Sequence, residues 1–257
     1  MKTVKLRTFG NYKISPNAVK GVPIAKTDYD KKKFINKLKR EDSGVLLAIN
    51  PGTKELDFLL QITDGEDIFA SMFYEPILTF FTQAYDTYNG AKKAKLDFRV
   101  EHDTSEIKIV NTHDFSVFMQ LKLNSIIMLQ TSIEAFMNSV IPEGKLLYKN
   151  EEKTKKQIEK ELSFKDKLRF LSDELTDVNF NINEKEDKLI YDSLLNLNNI
   201  RKELVHMKTN REEMFESFIE SLRNALGFDL EKQFVYCINF INKIKPNYIE
   251  LIDKNEL

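Results

Sequence analysis

Apolar positions alternate with polar ones in the first third of this chain and then recur at steps of three and four through the rest. Lys2 to Phe9, with Val4 and Leu6 on one side, predicts a strand. Gly44 to Ile49 predicts a short buried strand closed by Asn50-Pro51-Gly52. Ile68, Phe73, Ile77, Phe80, Phe81 and Tyr85 predict a helix over 67–88, and Leu96 to Val100 with Ile107 to Val110 flank a polar His102-Asp103-Thr104-Ser105 turn, the pattern of a hairpin.

Beyond Asp114 the pattern is helical. Asp114 is the expected N-terminal cap of a long helix running to Ile141, stopped by Pro142-Glu143-Gly144, with Ile126, Leu129, Ile133, Phe136, Met137 and Val140 on its inner face. A charged helix is predicted over 151–162. Ser163-Phe164-Lys165-Asp166 has the form of a capping box with Asp in the acidic place, opening a helix to about Leu175. Further helices are predicted from Asp187 to about Lys208, from Glu212 to Leu226 with Gly227 as the stop, and from Asp229 through Ile244 before Pro246. The fold class is therefore mainly α: a small α+β unit over 1–112, then a helical bundle over 113–257.

Composition narrows function by exclusion. A net charge of -1 gives no global case for nucleic-acid binding, so any such binding is local. The single cysteine, Cys237, excludes an internal disulfide and fits a reducing interior. The first residues lack the apolar core of a signal peptide, and no apolar run approaches membrane-spanning length, so the expected setting is the cytoplasm, without a membrane. The chain holds no phosphate-cradling glycine loop, no closely spaced cysteine pair and no two histidines at ligand spacing. Neither a cofactor nor a metal is indicated.

One residue breaks the helical pattern. Ile190, Leu194, Leu197, position 201 and Leu204 follow the steps of a core-facing stripe, and position 201 is an arginine. A guanidinium stays charged and is costly to bury alone. Either Arg201 meets an acid of the bundle, Glu134 among the choices, or the stripe faces something that needs a permanent positive charge. His206, able to exchange a proton near neutral pH, follows five residues later. On an ideal helix the two stand about 140° apart, so the helix ends or bends near Val205, or the site is built from two subunits.

Ser132-Ile133-Glu134-Ala135-Phe136-Met137-Asn138 on a long helix, followed by Arg201-Lys202-Glu203-Leu204-Val205-His206 on a later one, resembles the HEPN superfamily over roughly residues 115–245. The resemblance implies a helical bundle whose arginine and histidine, with four to six residues between them, meet those of a second protomer at a dimer interface. It further implies metal-independent cleavage of RNA in a toxin or host-defence role, which brings RNA, a second copy of the chain and a protein antitoxin or regulator as expected partners. Arg201 would hold the phosphate and His206 would move the proton. Glu134, one position off the apolar face of its helix, either orients Arg201 or is only solvated, and Asn138, Asn198 and Asn199 are candidate RNA contacts. Lys202 stands where active members usually carry a polar uncharged or acidic residue, and this departure motivates the alternative of a non-catalytic HEPN-like dimerisation or protein-interaction module.

The remaining candidates have plainer readings. His102 and His113 are expected at the surface, and Cys237, among Phe234, Val235, Ile238 and Phe240, in the core. The lysine runs at 31–33 and 153–156 are followed by or interleaved with acids, as on a solvated face.

Overall fold

The computed structural model describes residues 2–6, 24–25, 45–49, 56–64, 67–72, 76–104, 107–149, 151–175, 179–205 and 214–253. The chain is mainly α, with seven helices and ten short strands among those residues.

The contacts define two compact units, Phe9–Glu75 and a second made of Met1–Thr8 with Pro76–Leu257. They divide the chain elsewhere than the expected break near 112, because the helix before that point packs along the one after it. In the first unit β2 (Ile24–Ala25), β3 (Val45–Ile49), β4 (Leu56–Asp64) and β5 (Asp67–Met72) form one sheet in that order, parallel between β2 and β3 and antiparallel thereafter. The helix expected from Asp67 is corrected here. Residues 67–72 pair with β4, Ile62 opposite Phe69, and the helix begins only at Pro76, whose fixed φ and missing N–H suit a first helical turn.

In the second unit α1 (Pro76–Leu96) lies antiparallel to α2 (Thr112–Val140), with Ser132 Oγ donating to the Ile77 carbonyl and Ser125 Oγ to that of Ala84, each at 2.7 Å. Small serines let the backbones approach closely. Between these helices β6 (Val100–Asp103) and β7 (Lys108–Val110) form a hairpin where one was expected, but His102 and Asp103, expected in its turn, pair with Ile109 and Lys108 as strand. The hairpin is shorter than predicted because the alanine- and lysine-rich stretch before it continues α1 to Leu96. Asn111, not Asp114, caps α2: its side chain accepts from the backbone N–H groups of His113 and Asp114. Asp114 is taken instead by Arg99, whose Nε and Nη2 donate to its two oxygens at 2.9 and 2.8 Å.

Strands β8 (Lys145–Tyr148) and β9 (Glu151–Thr154) pair where a charged helix was expected from 151. The helix, α3 (Lys155–Glu161), starts at a capping box between Thr154 and Gln157. Ser163 caps α4 (Phe164–Asp173) as expected. Then follow α5 (Lys185–Val205), α6 (Met214–Gly227) and α7 (Leu230–Ile244), the last capped by Asp229. An unexpected strand, β10 (Ile249–Asp253), pairs antiparallel with β1 (Lys2–Leu6).

Three contacts fix the direction of α5. Phe180, just before it, packs on Phe240, which packs on Phe136; Asn198 meets Gln130; and Glu203 meets Asn224 of α6, whose end meets Lys122. Rising along α5 therefore means descending along α2, and the two helices are antiparallel. Ile126, Leu129, Ile133, Phe136 and Met137 of α2 are fully buried between α1, α5 and α7. Each such side chain contributes roughly 1.5–3 kcal/mol of burial.

Candidate active site

Arg201 sits one turn from the end of α5, half-buried, with Leu197, Ile200 and Leu204 buried beside it. Its Nε is shielded from solvent and has no hydrogen-bond partner, and no carboxylate pairs with the guanidinium among the described residues. Glu203, two residues further along α5, is engaged elsewhere, accepting from Asn224 Nδ2 at 3.1 Å. Glu134 does not meet Arg201. Its Oε1 lies 3.5 Å from Lys167 Nζ, and its Oε2 accepts from Gln130 Nε2 at 3.2 Å. The antiparallel helices explain the miss, since each step beyond Asn198 carries α5 away from Glu134.

Asn198, by contrast, is drawn into the same structure. Buried at 5 % exposure, it accepts from Gln130 Nε2 at 3.5 Å. Gln130, 1 % exposed, thus gives its amide protons to Glu134 and Asn198, while its own Oε1 is left without a partner. One turn beyond Glu134, Asn138 is half-buried and its Oδ1 is likewise buried and unpartnered. Lys167, only 2 % exposed, closes the line from α4. A polar seam therefore runs Arg201, Asn198, Gln130, Glu134, Lys167 across three helices. Buried polar atoms without partners are rare because each costs free energy, and the seam holds two of them, Gln130 Oε1 and Arg201 Nε.

The other candidates fall outside the seam. Lys202 and Asn199 are exposed on α5, His102 is exposed in β6, and His113 is exposed in the first turn of α2. Lys153 pairs with Glu151 and Glu161, as expected of a solvated face. Cys237 is buried in the core, where burial pushes its thiol up to about 12. The helix extends through Val205; His206 lies outside the described residues, as do lysines 31–33.

Gln130 and Lys167 were not found from sequence. Lys167 had a signal: it lies with Phe164, Leu168 and Leu171 at helical spacing, an ion on an apolar stripe just as Arg201 is. Gln130 had none, since an amide beside an apolar stripe reads as its edge.

Among the described residues no group of three or more His, Cys, Asp or Glu side chains is arranged to hold a metal ion, and no helix is long and apolar enough to cross a membrane. No protein-family model, curated protein or solved structure matches the chain.

Proposed function

We propose that this chain is a metal-independent endoribonuclease, a HEPN-like bundle acting as a cytoplasmic homodimer in a toxin or antiviral-defence role and held in check by a protein antitoxin or regulator. One observation carries the reading. Arg201 keeps a buried, unsatisfied donor on an otherwise apolar stripe, and among the described residues no carboxylate pairs with it. A chain that needed this cation only for its own stability would pair it. An unpaired guanidinium suits an anion from outside, and its planar fork matches a phosphate.

The chemistry needs no metal because RNA carries its own nucleophile. The 2′-hydroxyl attacks the adjacent phosphorus, giving its proton to a base, and the P–O5′ bond breaks with a proton delivered to the leaving oxygen. The products are a 2′,3′-cyclic phosphate and a 5′-hydroxyl. His206 is assigned the proton transfers, worth about 10²–10⁴-fold in rate. Arg201 is assigned the non-bridging oxygens, whose charge grows in the transition state. Lys202, exposed about 100° round the helix from Arg201, is a second cation at that end of α5.

The test is cleavage of mixed cellular RNA in the presence of a chelator by wild type, His206→Ala and Arg201→Met. Cleavage by wild type alone, leaving cyclic phosphate ends, is expected. Cleavage by His206→Ala would remove that residue from the site. No cleavage by a folded, dimeric wild type would leave the non-catalytic interaction module as the reading.

A further inference from the structure

We propose that Glu134 is the base-selecting residue of this site, a subsite for guanine, and that Lys167 positions it. That the base belongs to RNA rests on the reading above; the subsite itself stands on the geometry of the seam. The Glu134 side chain is 41 % exposed, so its carboxylate reaches solvent, yet it is held from behind by Lys167 Nζ and from the side by Gln130 Nε2. The orientation of Gln130 follows from these neighbours, since turning its amide over would set its oxygen against the carboxylate and against Asn198 Oδ1.

An anchored carboxylate is acceptor-only and binds best a ligand edge with two adjacent N–H donors. Among the four bases only guanine has such an edge, N1–H beside the exocyclic amine. Adenine and cytosine place an acceptor next to their amine, and uracil places acceptors on both sides of its single N–H. The axial component of the spacing is of the size of one nucleotide. Arg201 lies one turn beyond Asn198 and Glu134 one turn beyond Gln130 in the opposite direction, about 10 Å apart along the bundle axis at 1.5 Å per residue. A phosphate at the first and the far edge of its base at the second span that interval.

The deciding measurement uses unaltered protein: 3′-GMP, 3′-AMP, 3′-CMP and 3′-UMP titrated separately by calorimetry. Binding of 3′-GMP at least tenfold tighter than the others is expected; equal affinities, another preference or no binding overturns the subsite. Sequencing the ends of cleaved RNA separates this from the reaction itself. Cleavage without guanosine at the scissile bond sinks the subsite and leaves the ribonuclease, whereas selective 3′-GMP binding by a chain that cuts no RNA does the reverse. Glu134→Gln, shown to be folded, is expected to bring 3′-GMP to the level of the other three without weakening 3′-UMP. Lys167→Met is expected to narrow the guanine preference severalfold. Uniform weakening of all four nucleotides in both variants would make the pair structural only and overturn the proposal.

Discussion

Lys167 and Glu134 are 3.5 Å apart in unequal surroundings, the lysine 2 % exposed and the carboxylate half in solvent. Removing either partner therefore has a different cost. Lys167→Met keeps the length of the side chain and leaves a carboxylate that water can solvate, a loss of about 1 kcal/mol on the scale of solvated pairs. Glu134→Ala strands a buried ammonium, a loss on the order of 3 kcal/mol. Urea unfolding of both variants should show Glu134→Ala as the weaker protein; the reverse order would mean that the carboxylate does not compensate the lysine.

Arg201 should be dispensable for folding. With Nε buried and unpartnered, replacing the side chain by methionine removes a desolvated donor and retains its packing. The unfolding free energy of Arg201→Met is expected to equal or exceed that of wild type, by up to about 1 kcal/mol, while RNA cleavage is lost. A large drop in stability would show that the guanidinium has a partner the bundle depends on.

The clamp of Arg99 on Asp114 predicts an acid limb. Hydrogen bonds from the Arg99 side chain and backbone N–H hold the Asp114 carboxyl at about 2, below its ordinary value near 3.9. Because the folded value is the lower one, this contribution is complete above about pH 4 and disappears as pH falls towards 2. Urea midpoints of wild type and Arg99→Met should differ at neutral pH and converge through that window.

Cys237 should be silent in the folded state. Burial raises its thiol to about 12, so thiolate is scarce at pH 8 as well as inaccessible. A thiol-reactive reagent is expected to label it only in denaturant or at the rate of unfolding; rapid labelling of native protein would contradict the burial.

How far the chain could be read in advance depended on how local each signal is. The caps at Ser163 and Asp229 and the inner face from Ile126 to Met137 were legible because a few neighbouring residues determine them. Asn111 was missed in favour of Asp114 because the competitor is set by a partner 15 residues away: once Arg99 takes the aspartate, the asparagine is free to cap. The strand over 67–72 was read as helix because its partner, β4, decides the matter and periodicity over six residues does not. At the site, Arg201 was legible as a charge out of place. Its separation from Glu134 was not, since that depends on which residues of two antiparallel helices stand level, a property of neither helix alone.

The pairing of β1 with β10 makes the second unit discontinuous, with Phe9–Glu75 inserted into it. Synthesis makes Lys2–Leu6 before the rest of this unit, and that segment can find its register only after Ile249–Asp253 has followed. Nearly the whole sequence lies inside the closed loop, so docking this strand carries one of the largest chain-entropy penalties in the fold. In order of synthesis β1 precedes β10 by the whole of the unit, so its pairing waits until the helices between them have been made.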